Sequence, residues 1–164
     1  MRNLSSSRAL AVVLTVAAVF ILLSGQSLPA VVASHFAAGG HADGFMPRNA
    51  YLGLMLFMAV GVPFLLALGY SLVHLIPPRL VNLPNRSYWL SPERSAETFA
   101  FLRRHGIYLC ALMATFLCFI HWLVVRANEL QPAHLPVLLF ATGLVLFLLA
   151  VAVWTAVLFV RFRR

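Results

Sequence analysis

Four long apolar runs leave this chain few ways to fold. Residues 9–23 are fifteen uninterrupted apolar or small side chains, and further runs cover residues 51–76, 106–125 and 135–160. A helix needs about 20 predominantly apolar residues to cross the hydrocarbon of a bilayer, so the last three runs suffice alone. The first suffices once residues 24–27 are added. Hydrophobic residues make up 62% of the 164, charged residues 10%, and the mean hydropathy is +0.93. One soluble core of ordinary composition cannot bury that share. The sequence therefore predicts a single all-α integral membrane domain, residues 1–164, with four transmembrane helices at about 9–27, 51–76, 106–125 and 135–160.

The first run has two readings, because a short basic head, a short apolar stretch and Gly25-Gln26-Ser27 also suit a cleaved signal peptide. An uncleaved first span is expected, since apolar character resumes over residues 30–33. Ala11, Thr15 and Ala18 recur at i, i+4, i+7, which predicts a small-residue face for close helix approach. Gly61 and Pro63 predict a kink in the second span. Cys110 and Cys118 lie eight residues apart in one run, about 12 Å of helix rise, and read as packing residues.

The basic residues decide orientation. All twelve are arginines, and the net charge is +8. They flank the spans rather than forming one stripe, so they argue for membrane topology and not for nucleic acid. With the N-terminus in the cytoplasm, ten arginines fall inside and only Arg48 and Arg126 outside. Both termini are then cytoplasmic, the loop over residues 28–49 is extracytoplasmic and the segment over residues 77–104 is cytoplasmic.

Chemistry-bearing residues concentrate in those two connections. The outer one contains His35, Phe36, Gly39, Gly40, His41, Asp43, Gly44, Phe45 and Arg48. Its glycines and the Asp43-Gly44 pair predict an organised loop with a tight turn there, a positive φ at Gly44, and Asp43 accepting backbone N–H bonds. The inner one carries Asn85, Tyr88, Trp89, Glu93 and Arg94. Ser91-Pro92-Glu93 reads as a helix start, so a short amphipathic helix is expected to about residue 104, with Ala96, Phe99 and Leu102 on its apolar stripe. Tyr88 and Trp89 suit the membrane interface. His74 is expected to reach toward the headgroups. His121 falls inside the third span, on a face with Ala111, Ala114 and Cys118, which makes it a functional candidate or a structural hydrogen-bonding residue.

The Leu28-Pro29, His35-Phe36, Gly40 and Asp43-Gly44-Phe45 run, followed by the residues 82–94, resembles a family of small bacterial integral-membrane proteins of unknown function. That family also forms the N-terminal region of SdpI-type immunity and signalling proteins. The resemblance covers roughly residues 10–104 and falls on Pro29, His35, Phe36, Gly40, Asp43, Gly44 and Phe45, with Arg48 in place of the usual Lys. Ala37 stands where the family has Asn, and Ser87 where it has Asp. It implies an integral-membrane fold and points to a binding or signalling role, since SdpI-type proteins confer immunity to a secreted toxic peptide and can hold a transcriptional repressor at the membrane.

The functional expectation is a non-enzymatic protein of the bacterial inner membrane for sensing or immunity toward an envelope-active peptide or stress. The ligand candidates are His35, Phe36, Gly40, Asp43, Gly44, Phe45 and Arg48. The candidates for a cytosolic regulator are Asn85, Tyr88, Trp89, Glu93 and Arg94. No cofactor and no nucleic acid is expected; the bilayer is the expected partner, and a homo-oligomer is compatible with the small-residue faces. A small transporter or channel component is the alternative, although only Pro63 and His121 carry its marks. A metal-binding protein is the further alternative, through His35, His41, Asp43 and His121, with Glu129 and His134 on the same membrane face, although no HExxH or CxxC spacing supports it. No nucleophile elbow, phosphate loop or paired intramembrane carboxylate argues for catalysis.

Overall fold

The computed structural model describes residues 2–163. Helix α1 (Arg2–Ser24) ends in a 3₁₀ turn and leads into an antiparallel hairpin of β1 (Val31–Phe36) and β2 (Ala42–Pro47). Helix α2 (Arg48–Leu56) continues through a π-helical turn (Phe57–Gly61) into α3 (Val62–Leu72). A loop containing the single turn α4 (Arg86–Trp89) precedes α5 (Ser95–Asn128), and α6 (Val137–Phe162) completes the chain. Four segments are long and apolar enough to cross a membrane: Ser6–Ser27, Arg48–Leu75, Ser95–Asn128 and Val137–Phe162. The expected number of spans is therefore present. Arg164, one of the arginines weighed for topology, lies outside the described residues.

Helix α5 is the spine, contacting α1, α3 and α6. On α1 the packed row is Leu10, Leu14, Ala17 and Ile21, at i, i+4, i+7, i+11. Its first two members, Leu10 and Leu14, meet Ala67 of α3 and Ile107, Cys110 and Ala114 of α5 in one cluster, and Ile21 joins a second beneath the hairpin. The small-residue face expected on Ala11, Thr15 and Ala18 is not the packed one; it lines an apolar groove beside Val60, Gly61 and Phe64. In lipid, helix association is driven by dispersion contact, and branched side chains that interdigitate supply more of it than small residues left facing a gap. Both cysteines are free and sit at or near packed positions, Cys110 fully buried and Cys118 half-buried.

Helix α6 lies at the margin. It packs on α5 through a stacked Phe116–Phe147 pair at 4.2 Å and a stacked His105–Trp154 pair at 4.4 Å. The His105 and Trp154 ring nitrogens each bond the other residue's backbone carbonyl, at 3.0 and 2.9 Å. Each polar ring thus hides its N–H from lipid.

Two sequence expectations are corrected here. The short amphipathic helix and the third span are one continuous helix, Ser95–Asn128, of 34 residues. Gly106 is the only weak helix former at the junction, and an isolated Gly costs about 1 kcal/mol in a helix without breaking it. At about 1.5 Å per residue α5 is about 51 Å long, well beyond the ~30 Å hydrocarbon, so its first turns extend past the bilayer. Residues 91–94 form the turn that feeds it, with Ser91 O accepting from the Arg94 and Ser95 N–H groups. The kink in the second span appears as the π turn ahead of Pro63: the ring cannot donate a hydrogen bond, and the ladder widens just before it.

Candidate functional site

The hairpin stands on the end of the bundle where α1, α2 and α5 converge. Its inward residues, Val32 with Phe36 and Met46, pack against Ile21, Leu28, Tyr51, Met55 and Val124. Polar clamps set its position. The Asn128 side chain treats Ala33 as a neighbouring strand would: Oδ1 accepts from Ala33 N–H at 2.9 Å and Nδ2 donates to Ala33 O at 2.9 Å. Nδ2 also donates to Val124 O at 2.9 Å, which fixes the amide's orientation. Where β2 passes into α2, Arg48 Nη1 donates to Leu28 O at 3.1 Å, and Arg48 N–H to Ala30 O at 2.9 Å.

The chain reverses over residues 37–41, not at Asp43-Gly44 as the turn chemistry predicts. Gly40 takes φ +86° there, and its carbonyl accepts from Leu135 N–H at 2.8 Å. A Cβ on Gly40 would stand 2.6 Å from Leu135 O, so this glycine answers to both backbone conformation and close approach. Gly44 is ordinary strand backbone opposite His35 at an irregularity in the register. Its requirement is space: a Cβ would come within 2.7 Å of His35 Cβ. The Asp-Gly signal is overridden because Asp43 has a better use, accepting from His35 Nδ1 at 2.5 Å rather than from backbone N–H groups.

The outward hairpin face thus carries an exposed His35–Asp43 pair flanked by Val31 and Phe45, 60% and 61% exposed. Beside it the hairpin turn meets the α5–α6 connection. His41 and His134 form an isolated antiparallel bridge, with rings edge-to-face at 4.9 Å between centroids. Glu129 pairs with Arg126 at 2.9 Å.

Beneath the hairpin lies a buried polar node. His121 has no solvent exposure and lies between Ser24 and Tyr51, its Nε2 3.0 Å from Ser24 Oγ and its Nδ1 3.0 Å from Tyr51 OH. Ser24 Oγ donates to Phe20 O at 2.6 Å, so it accepts from His121 Nε2–H; Nδ1 is then the acceptor of the Tyr51 hydroxyl. Tyr51 also stacks on the imidazole at 20° between planes. The node ties three spans together with both ring nitrogens satisfied. His121 is therefore a hydrogen-bonding residue held by two side-chain hydroxyls. Its partners are not those of the metal set: His35 is paired with Asp43, His41 with His134. Among the described residues no three His, Cys, Asp or Glu side chains come together.

At the opposite end, Arg103 Nη2 donates to Ser7 Oγ at 3.0 Å, and Arg161 pairs with Glu97 at 2.6 Å. Tyr88, Asn85, Glu93 and Arg94 are exposed, and the Arg94 guanidinium lies 4.1 Å from the Tyr88 ring centroid. Trp89 departs from its expected place on an accessible surface. It is 6% exposed, edge-to-face with Phe162 at 5.3 Å and covered by Arg161. Its carbonyl accepts from Thr98 Oγ1 at 2.9 Å. An indole this large, next to the end of α6, fills the gap between the loop and that helix. His74 Nδ1 donates to Ser71 O at 3.0 Å within its own last turn.

Sequence reasoning missed Asn128, Tyr51, Ser24 and the His105–Trp154 pair. Asn128 carried a signal: an amide at the last turn of a span, where four carbonyls lack partners. Tyr51 and Ser24 carried none, because a Tyr and a Ser at the ends of apolar runs are ordinary interfacial residues.

Fold and site define a multi-pass membrane protein whose interstrand hairpin is built into the helical bundle. A family described as a domain of unknown function (DUF1648) has a model that matches residues 11–59, less than a third of the chain. The matched stretch takes in most of α1, the whole hairpin and the second span as far as its π turn. It stops short of the second motif at residues 82–94. No curated protein and no solved structure matches the chain.

Proposed function

We propose that this protein is a non-enzymatic, multi-pass component of the bacterial cytoplasmic membrane that recognises an envelope-active peptide or a related stress. Its termini are cytoplasmic, and the hairpin is the extracytoplasmic recognition element. The observation that carries the reading is the outward hairpin face: apolar Val31 and Phe45 beside a polar His35–Asp43 pair, presented on a support that is clamped rather than slack. Apolar anchors next to oriented polar groups are what a peptide site needs, and pre-organisation lowers the entropy lost on binding. The arginine asymmetry supports the orientation. The resemblance to the N-terminal region of SdpI-type proteins supports immunity as the purpose and a cytosolic regulator as a partner.

Readout toward the cytoplasm would run through the second span, which joins the hairpin directly to the inner loop. Its π turn is an element with a plausible second state, a regular α-helical ladder. Asn85, Tyr88, Glu93 and Arg94 form the accessible part of the inner surface, while Trp89 supports it from below. The membrane interior favours recognition over transport, since the polar node of His121 with Tyr51 and Ser24 is internally satisfied.

Deletion of the gene followed by challenge with membrane-active peptides tests the proposal. Sensitivity is expected to rise on deletion and return to normal with the wild-type gene, but not with His35→Ala or Phe45→Ser expressed at equal levels. Unchanged sensitivity on deletion, together with solute uptake by the purified protein in liposomes, would replace this reading by the transporter one.

A further inference from the structure

The loop that follows the second span contains a basic recess separate from the hairpin. It has a volume of about 430 Å³ and is lined by Arg79, Val81, Asn82, Leu83, Arg86 and Ser87. Buried Val81 and half-buried Leu83 hold its floor, and Asn85, at φ 48°, turns the chain back so that Arg86 and Ser87 face Arg79 and Asn82. Arg86 Nη1 donates to Arg79 O at 2.6 Å, which holds that guanidinium at the rim and engages one of its five N–H donors. We propose that this recess binds the phosphate of an anionic phospholipid headgroup.

Three observations select that occupant. The first is charge. Arg79, Arg86, Arg94, Arg103, Arg104, Arg161 and Arg163 gather at this end of the molecule with Glu93 and Glu97 as the acids there, and Glu97 is already paired with Arg161. The second is donor geometry. Two guanidinium forks with an amide and a hydroxyl match a phosphodiester, whose oxygens accept several hydrogen bonds at once. The third is depth. The recess begins four residues after the second span ends at Leu75, and Leu80 in its lining and Leu75 just before it in the chain, each 68% exposed, offer apolar surface. A headgroup in the recess would lay its acyl chains on those leucines, whereas a soluble anion would leave them in water. Basic pockets at the cytoplasmic ends of membrane helices suit lipid headgroups for these reasons. The site does not depend on the hairpin's role, and a bilayer with the same lipids in both leaflets tests it whatever the orientation.

The test reconstitutes the full chain in nanodiscs of phosphatidylcholine with one fifth phosphatidylglycerol and counts retained lipids by native mass spectrometry after gentle release. The ratio of phosphatidylglycerol to phosphatidylcholine retained on the wild-type protein is expected to be about tenfold that of the bilayer. R79Q is expected to reduce that enrichment about fivefold, and R79Q/R86Q to abolish it, since each near-surface cation contributes a factor of about five. R163Q, which removes the same charge at this end of the molecule but from outside the recess lining, is expected to leave it within twofold. Both targets are exposed, so folding should survive; R79Q alone decides the matter if the double variant does not fold. No enrichment on the wild type, or equal loss in R163Q and R79Q, would overturn the site. Displacement of the lipid by inorganic phosphate at low millimolar concentration would make the occupant a free anion and overturn the lipid assignment.

Discussion

Replacing Asn128 by Ala removes three hydrogen bonds in one step, and the structure says where the damage goes. Ala33 is 1% exposed, and its N–H and C=O both end on the Asn128 amide at 2.9 Å. Leaving a buried backbone group unpaired costs about 1–3 kcal/mol, and two such groups with partial access for water put the loss at about 2–4 kcal/mol. The Val124 carbonyl matters less, because it keeps its place in α5. That energy holds the hairpin to the bundle rather than one helix to another, so the loss should appear as local opening. Amide hydrogen exchange in detergent micelles or nanodiscs reads this directly. Residues 31–36 and 42–46 are expected to exchange about thirty- to several-hundredfold faster in Asn128→Ala, while residues 138–160 of α6 stay as in the wild type. Asn128→Asp should fall close to Ala: a carboxylate keeps the bond from Ala33 N–H but turns its second oxygen toward two carbonyls. Exchange within threefold of wild type across the hairpin would refute the clamp, and uniform acceleration across all four spans would refute its local character.

Gly40→Val is expected to destabilise the protein by about 2–4 kcal/mol, from backbone strain at φ +86° and the clash with Leu135 O; thermal melting that matches wild type within 1 °C would show that the turn is not as described. His121→Leu should leave the Tyr51 hydroxyl without a partner, so adding Tyr51→Phe is expected to recover about 1 kcal/mol or more in a double-mutant cycle; strictly additive losses would dissolve the node. Trp89→Ala is expected to cost about 3–5 kcal/mol through lost packing on Phe162, and a variant as stable as wild type would return Trp89 to the exposed surface. Single cysteines at Ala38 and Ser87, in a background without Cys110 and Cys118, should label from opposite sides of the membrane with an impermeant reagent, and labelling of both from one side would sink the proposed topology.

Membrane character, the number of spans and their approximate places follow from the sequence alone, because lipid demands long apolar segments with internally paired backbones and little else satisfies four such runs. That the stretch between the first two spans is organised rather than slack was equally legible, since three glycines and an Asp-Gly pair crowd into it. Its shape was not. Asp43-Gly44 has the chemistry of a turn, yet Asp43 pairs with His35 across a strand and the reversal falls at Gly40, where the α5–α6 connection offers a backbone hydrogen bond. Local preference is worth a few tenths to about 1 kcal/mol, and a register that buries Val32 and Met46 while satisfying Ala33 outweighs it. Likewise α5 swallows the short helix expected before it, because nothing in residues 95–106 stops a helix whose neighbours bury it. The roles of Asn128, Tyr51, Ser24 and Trp89 depend on partners between 20 and 100 residues away in most cases, and no spacing along one chain reports which polar groups will meet when helices pack. Hydrophobic pattern determines what enters the membrane; the pairing of the few polar groups left over is decided only when the tertiary structure brings them together.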